Sequence, residues 1–203
     1  MGELLGMGID PSNFHKYNVI DTCAIWNILS SRLLYTTANN AGCLFCCTYF
    51  VYYECLYKPR KNPKQVEIEL QNRFRQEYED GKFKYYHLTI EDLQDTEVLQ
   101  GRKKKDKGEL ASIAFAKKTR QAFLTDDTGA RKLAVQSMNS KMVQTTPHLL
   151  AWLIFINYLS DSDLQPIIGE HKKSERHLEE HFLNAYKIVM EYRLKAFSPK
   201  ITE

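Results

Sequence analysis

The chain has no apolar segment of the length that a membrane span requires. Its longest apolar run, residues 149–159, is interrupted by Asn157 and is far shorter than the roughly 20 residues that cross a bilayer. A secretory signal is also missing, because Met1-Gly2-Glu3 shows no basic start followed by an apolar stretch. These absences predict a protein that is not embedded in a membrane and that acts in the cytoplasm.

Cysteine is scarce, and the five that are present do not form a pairing pattern. An odd number of cysteines in a chain without an export signal favours a reducing compartment. Cys43 and Cys46 are spaced as C-x-x-C, but a zinc site would need a second such pair. Because their surroundings are apolar, we predict buried free thiols.

Neither sign of charge is in large excess. The chain carries 28 Lys and Arg against 25 Asp and Glu, a net charge of +3, which permits a nucleic-acid partner without requiring one. Its hydrophobic fraction of 43% is ordinary for a folded protein and argues against disorder. At 203 residues the chain can bury a substantial core.

Short apolar strands alternate with helical segments over the first part of the chain. We predict strands at 17–21, 43–48, 82–88, 122–124 and 141–145. We predict helices at 23–35, 49–57, 66–80, 108–118 and 129–137. Thr89 and Asp92 form a capping pattern that predicts the start of one more helix. This alternation predicts an α/β fold with a parallel sheet covered on both faces.

The chain after residue 147 is predicted to be helical, with 172–197 as one long helix or a pair. We therefore divide the sequence into residues 1–146, which contain the sheet, and residues 147–203, a C-terminal helical extension. The extension is expected to pack on the first part or to continue the same domain.

Two acids stand in otherwise uncharged sequence. Asp21 is the only charged residue between Lys16 and Arg32, and Glu54 is the only one between Arg32 and Lys58. We expect no lysine one turn along its helix to support Glu54. Carboxylates among apolar residues cost free energy unless protons, partners or a cation compensate them.

Three further acids belong to the same pattern. Glu109 opens an alanine-rich helix, and Asp126 and Asp127 follow the strand 122–124 after one threonine, Thr125. Ligands collect at the carboxyl ends of parallel strands, so these acids are expected to converge with Asp21 and Glu54. Converging carboxylates would suit Mg²⁺ or Mn²⁺. We take Asp126 as a ligand and Asp127 as its supporter or as a helix cap, and the choice between the two stays open.

Four segments together resemble the PIN-domain ribonucleases, a family that includes the VapC-type toxins. The matching segments are VIDTCAI around Asp21, YFVYYEC around Glu54, KGELASIAFA around Glu109 and FLTDDTGARKLA around Asp126. Each segment is unspecific by itself, whereas the ordered set, which extends from residue 17 to about residue 145, is much more specific.

The resemblance implies a three-layer α/β/α fold and metal-dependent cleavage of RNA that leaves 5′-phosphate and 3′-hydroxyl ends. It implies an acidic quartet of Asp21, Glu54, Glu109 and Asp126, with Thr125 as a helper that contacts the substrate. Many family members have Asp where Glu109 stands, so Asp106 is a competitor for that position. The metal would lower the pKa of a bound water for attack on phosphorus.

Basic residues surround two of the proposed ligands and are expected to hold the RNA backbone. One group follows Glu54, and the other precedes Glu109. The members of the two groups are Lys58, Arg60, Lys61 and Lys64, and then Arg102, Lys103, Lys104, Lys105 and Lys107. For each individual lysine a solvated loop is an equally good interpretation.

Three tyrosines near Glu54, namely Tyr52, Tyr53 and Tyr57, could stack on RNA bases. We expect that at least two of them pack in the core instead.

The leading hypothesis is a metal-dependent endoribonuclease that acts on single-stranded or structured RNA, such as tRNA, as a toxin, a defence effector or an RNA-processing enzyme. An antitoxin or other inhibitor protein and a second copy of the chain are the protein partners considered. One alternative is an inactive PIN-like scaffold that binds RNA or protein, although the presence of all four acids argues against it. The other is a structure-specific DNA nuclease, but no added DNA-binding module is evident.

Overall fold

A computed structural model describes residues 8–89 and 107–197 of the chain. The strands are β1 Tyr17–Ile20, β2 Leu44–Thr48, β3 Phe83–Tyr86, β4 Ala122–Leu124 and β5 Val143–Gln144. The helices are α1 Thr22–Ser30, α2 Arg32–Asn40, α3 Tyr49–Leu56, α4 Gln65–Glu79, α5 Lys107–Thr119, α6 Thr128–Ser137, α7 Thr146–Phe155, α8 Leu164–Lys173 and α9 Glu179–Phe197.

The five described strands form one sheet in the order β3-β2-β1-β4-β5, and every pair is parallel. The predicted α/β fold with a central parallel sheet is thus confirmed. β1 and β4 are neighbours in the sheet, with Ile20 paired to Leu124. The strand order reverses at this pair, and such a switch point is where α/β proteins usually bind their ligands.

Helices cover both faces of the sheet because successive strand residues point in opposite directions. Val19 and Phe123 belong to a buried cluster that includes Ile113 of α5 and Ala130 of α6. The next residues along the two strands belong to a second cluster, which contains residues of α1, α2, α4, α7, α8 and α9. The result is a three-layer α/β/α arrangement.

The C-terminal helices share their core with the sheet-containing part of the chain. Leu149 and Leu153 of α7 lie in the same hydrophobic cluster as Ile25 of α1 and Leu34 of α2. Of the segment 172–197 that was predicted as one helix or a pair, the first two residues end α8, and α9 occupies Glu179–Phe197. Within the described ranges, no helix combines the length and the apolar character needed to cross a bilayer.

The prediction of one helix over 23–35 is wrong, because the chain breaks at Ser31 into α1 and α2. Ser31 has extended backbone angles, and its hydroxyl accepts a hydrogen bond from the Leu34 amide at 3.0 Å. Serine is a strong N-cap, so Ser31 starts a new helix where the apolar pattern continues. The pattern alone conceals the break.

The cysteines are free thiols, as predicted. Cys43, Cys47 and Cys55 are buried, whereas Cys23 and Cys46 are half-buried. Asp92 of the predicted helix start, and the basic residues Arg102, Lys103, Lys104 and Lys105, lie outside the described residues.

Candidate active site

An acidic cleft opens at the carboxyl ends of β1 and β4. The Asp21 amide donates to the Leu124 carbonyl at 3.3 Å, and the Thr125 amide donates to the Gln144 carbonyl at 3.0 Å. These bonds continue the strand pairing one residue past each strand and fix Asp21 beside Thr125. The cleft has a volume of about 310 Å³, and its lining includes four carboxylates, Asp21, Glu54, Glu109 and Asp127.

Asp21 is the most deeply buried of these acids, with 3% of its surface exposed. Its carboxylate caps α1 by accepting from the Ala24 amide at 2.8 Å and also accepts from the Thr125 hydroxyl. Burial raises its pKa to about 7 in spite of these two bonds, and the charges of Asp126 and Glu109 add to the rise. A bound cation would favour the ionised form of Asp21.

Thr125 connects two of the acids from below the cleft. Its fully buried hydroxyl donates to Asp21 and accepts from the Asp127 amide at 3.1 Å. We predicted that Thr125 contacts the substrate. The side chain is buried and hydrogen-bonded to Asp21, which places it to orient that carboxylate, and its contact with the substrate stays a prediction.

Glu54 is held by two donors, one for each carboxylate oxygen. The Thr22 hydroxyl donates to Oε2 at 2.8 Å, and the Lys58 ammonium donates to Oε1 at 2.8 Å. The expectation that no lysine one turn along would support Glu54 is therefore wrong. Although α3 ends at Leu56, the Lys58 amide still donates to the Tyr53 carbonyl, and this extra turn brings Lys58 back over Glu54.

Gly108 allows α5 to approach α3 closely. A Cβ atom at this position would lie 3.4 Å from Oε2 of Glu54 and 3.5 Å from Cγ2 of Val51. The close approach brings Glu109, in the first turn of α5, to the same cleft as Glu54. A carboxylate in a first helical turn is also favoured by the helix dipole. Asp106, the competitor for the role of Glu109, lies outside the described residues.

The adjacent acids Asp126 and Asp127 point to different surroundings. Asp126 accepts from the Asn27 side-chain amide at 2.8 Å, from the Thr146 amide at 2.9 Å and from the Thr146 hydroxyl. It thereby connects the end of β4 to α1 and to the start of α7. Among the described residues it is Asp127 that lines the cleft, and Asp127 also caps α6 through the Ala130 amide at 2.6 Å.

The geometry therefore gives Asp127 the position at the cleft that we predicted for Asp126. Asp127 serves as the N-cap of α6, whereas both oxygens of Asp126 accept hydrogen bonds from donors on α1 and α7. Which of the two binds a metal remains a prediction.

Arg176, between α8 and α9, also lines this cleft, and no pattern in the sequence pointed to it. It lies in the segment that we interpreted only as a helical extension. Burial lowers the pKa of its guanidinium. Asn27, the buried partner of Asp126, was equally missed, although a polar residue in the apolar helix that follows Asp21 was a usable signal.

Three of the predicted RNA-binding cations are paired with acids, and one of them is Lys64, which pairs with Glu175. Lys58 contacts Glu54, and Arg60 contacts Glu67 at 3.2 Å while lying 5.3 Å from the Trp26 ring. Lys61 is exposed to solvent.

The expectation that at least two of the three tyrosines pack in the core is wrong. Tyr52 is buried, but Tyr53 and Tyr57 are exposed. Their rings lie 6.3 Å apart in a stacked arrangement.

The described part of the chain contains no group of three or more His, Cys, Asp or Glu side chains placed to hold a metal ion. The acids nevertheless suit Mg²⁺ or Mn²⁺, because such ions keep several waters and need only one or two protein carboxylates together with a phosphate. Buried Asp21, with its raised pKa, is the side chain that would gain most from a nearby cation.

Comparisons of the chain with protein-family models, with curated proteins and with solved structures find no match. The resemblance to PIN-domain ribonucleases therefore depends on the four sequence segments alone.

Proposed function

We propose that the protein is a metal-dependent endoribonuclease that hydrolyses phosphodiester bonds in RNA. One observation carries the proposal. Four carboxylates from four separate segments line a single cleft at the switch point of a parallel sheet. Bringing acids together in this way is electrostatically costly, and a divalent cation together with a phosphate would offset that cost.

In this proposal one or two of the cleft carboxylates Asp21, Glu109 and Asp127 would bind the cation, and waters and the substrate phosphate would complete its coordination. When bound, Mg²⁺ or Mn²⁺ would activate water and neutralise phosphate charge. Thr125 contributes by fixing one oxygen of Asp21 and the amide of Asp127 at the same time. Thr22 and Lys58 orient Glu54 on the opposite wall.

The test is a cleavage assay with purified protein and end-labelled single-stranded RNA and tRNA, with Mg²⁺, with Mn²⁺ and with EDTA. We expect metal-dependent cuts with 5′-phosphate ends, which Asp21→Asn abolishes. Asp161→Asn is a matched control, because Asp161 pairs with Arg193 outside the cleft. Absence of cleavage by the wild-type protein with either metal would contradict the proposal.

A non-catalytic RNA-binding scaffold is the second candidate. Two observations favour it, namely the pairing of Glu54 with Lys58 and the absence of a three-acid metal group among the described residues. A scaffold would bind RNA without cutting it, and Asp21→Asn would bind as well as the wild type. Duplex, flap and hairpin DNA in the same assay test the DNA-nuclease alternative.

A further inference from the structure

Arg176 carries a positive charge on a half-buried side chain and has no close counter-ion among the described residues. No carboxylate of the described residues lies within 4.0 Å of its guanidinium, the distance that defines the ion pairs elsewhere in the protein. Its Nε atom is buried and has no hydrogen-bond partner. Since buried polar groups in folded proteins are nearly always hydrogen-bonded, this atom lacks a partner that a ligand could supply.

Arg193 is an arginine of the same protein whose guanidinium has an ion-pair partner and hydrogen-bond acceptors. Its guanidinium contacts Asp161 at 3.5 Å and Asn157 at 2.9 Å, and it also donates to the Ile154 carbonyl. Among the described residues Arg176 makes no comparable set of bonds, even though burial lowers its pKa and therefore disfavours its charge. The difference indicates that Arg176 is placed for something other than packing.

Arg176 lies on the boundary between two clefts. One is the acidic cleft, and the other has a volume of about 310 Å³ and is lined by Arg60, Lys64 and Glu67. Trp26 and Arg176 line both. We call the second one the basic cleft.

The basic cleft is not strongly cationic by itself, because Arg60 pairs with Glu67 and Lys64 pairs with Glu175. Arg176 is the cation at the boundary without such a pair in the described structure. An anion drawn to this region would therefore meet the Arg176 guanidinium first. A planar guanidinium matches the oxygens of a phosphate in geometry as well as in charge.

We propose that Arg176 binds a backbone phosphate of the RNA strand next to the scissile bond, and that the strand continues from the acidic cleft into the basic cleft. The inference depends on the proposed function, since the acidic cleft is taken as the place of cleavage. Arg60 and Lys64 would then face the following nucleotide. Arg176 is a substrate-positioning residue in this proposal, because it holds a phosphate that is not being cleaved.

The test measures binding without catalysis. Affinity for a short fluorescent single-stranded RNA is determined in EDTA over a range of salt concentrations for the wild type, Arg176→Gln, Arg176→Lys and Arg193→Gln. We expect Arg176→Gln to weaken binding by roughly tenfold or more, as the loss of a charged hydrogen bond does, and to reduce the salt slope by about 0.7 to 1. Arg193→Gln should bind like the wild type.

Arg176→Lys keeps the charge but loses the planar fork, so it should retain the salt slope while binding several times more weakly than the wild type. This variant carries the test if Arg176→Gln does not fold. Wild-type affinity and salt slope in Arg176→Gln, or wild-type affinity in an Arg176→Lys protein, would overturn the inference. A lowered melting temperature with unchanged RNA affinity would also overturn it, because it would show a purely structural charge.

The binding experiment separates this inference from the proposed function. If the wild type binds RNA through Arg176 in EDTA but never cleaves with metal, the phosphate site stands and the nuclease proposal fails. If the wild type cleaves RNA and Arg176→Gln binds and cleaves equally well, the nuclease proposal stands and the role of Arg176 is refuted. If the wild type does not bind RNA at all, the phosphate site is refuted as well.

Discussion

Two neighbouring regions at the same sheet edge give their aspartates different surroundings. At the corner formed by Asp126, Asn27 and Thr146, the carboxylate accepts three hydrogen bonds from neutral donors on two helices. In the acidic cleft, Asp21 and Asp127 face Glu54, Glu109 and open volume. The corner has the arrangement of a structural joint, whereas the cleft has that of a binding site.

The difference shows that the surroundings of each acid separate the two roles better than position in a motif does. Asp126 and Asp127 are adjacent and chemically identical. Donors on α1 and α7 bind Asp126, whereas Asp127 caps α6 through the Ala130 amide and lines the cleft. An acid that holds distant segments together contributes to stability, and an acid that lines an open cleft can also meet a ligand.

The largest expected effect comes from Asp21→Asn. Asparagine preserves the N-cap of α1 but removes the charge that a metal would require, so we expect RNA cleavage to fall by roughly 100-fold or more. Folding should persist, because the substitution removes a buried carboxylate whose pKa is raised. Cleavage assays with thermal melts of the same samples check both parts. Full activity in this variant would remove the cleft from the list of candidate sites.

The second effect is a pH dependence of stability in metal-free protein. The pKa of Asp21 is about 7 in the folded protein and 3.8 as the ordinary value of an aspartate, so the folded state binds more protons between these two pH values. Stability from this group is complete below pH 3.8 and is lost as pH rises through about 7, by an amount on the order of 4 kcal/mol. Urea unfolding in EDTA across this range measures it. Asp21→Asn is the control, because without the carboxyl group the free energy of unfolding should no longer show this loss between the two pH values.

The third effect belongs to the corner. Asp126→Ala leaves the Asn27 amide and the Thr146 amide without their acceptor, so we expect a loss of about 2 to 3 kcal/mol in the free energy of unfolding. Urea unfolding of wild type and variant measures the loss. If Asp126→Ala kept the stability of the wild type but no longer cleaved RNA, Asp126 would be the main metal ligand and the contrast between corner and cleft would be wrong.

The smallest effect on stability is expected for Asp127→Asn. The asparagine still caps α6, so the free energy of unfolding should stay within about 0.5 kcal/mol of wild type. Cleavage should nevertheless fall about tenfold or more if this acid faces the metal. Asp126→Asn is the matched control, and a greater loss of cleavage there would show that the corner, and not the cleft, carries the chemistry.

The fold could be predicted because its signals are local. Short apolar strands and intervening helices follow from residue periodicity, and the strand 122–124 was placed on the residues that form β4. The break at Ser31 was missed because the apolar period continues through it, while the cap depends on one hydroxyl.

The site could be predicted only in part. Asp21, Glu54 and Glu109 could be selected because each is isolated in apolar sequence or opens a helix. The directions in which Asp126 and Asp127 point could not be predicted. They depend on the hydrogen bond from the Thr125 amide to the Gln144 carbonyl, which extends the sheet by one residue. Arg176 could not be found either, because packing of the C-terminal segment against the sheet edge brings it there, and no local pattern encodes that contact.

The position of Trp26 gives the protein an optical reporter of its own. The chain has two tryptophans, and Trp26 lines both clefts, while Trp152 is buried and stacks on Phe14 with ring centroids 5.2 Å apart. Replacing Trp152 by Phe would leave one emitting indole at the junction of the two clefts. Its fluorescence intensity and quenching by iodide would then follow the arrival of a ligand in real time, without a dye or a label.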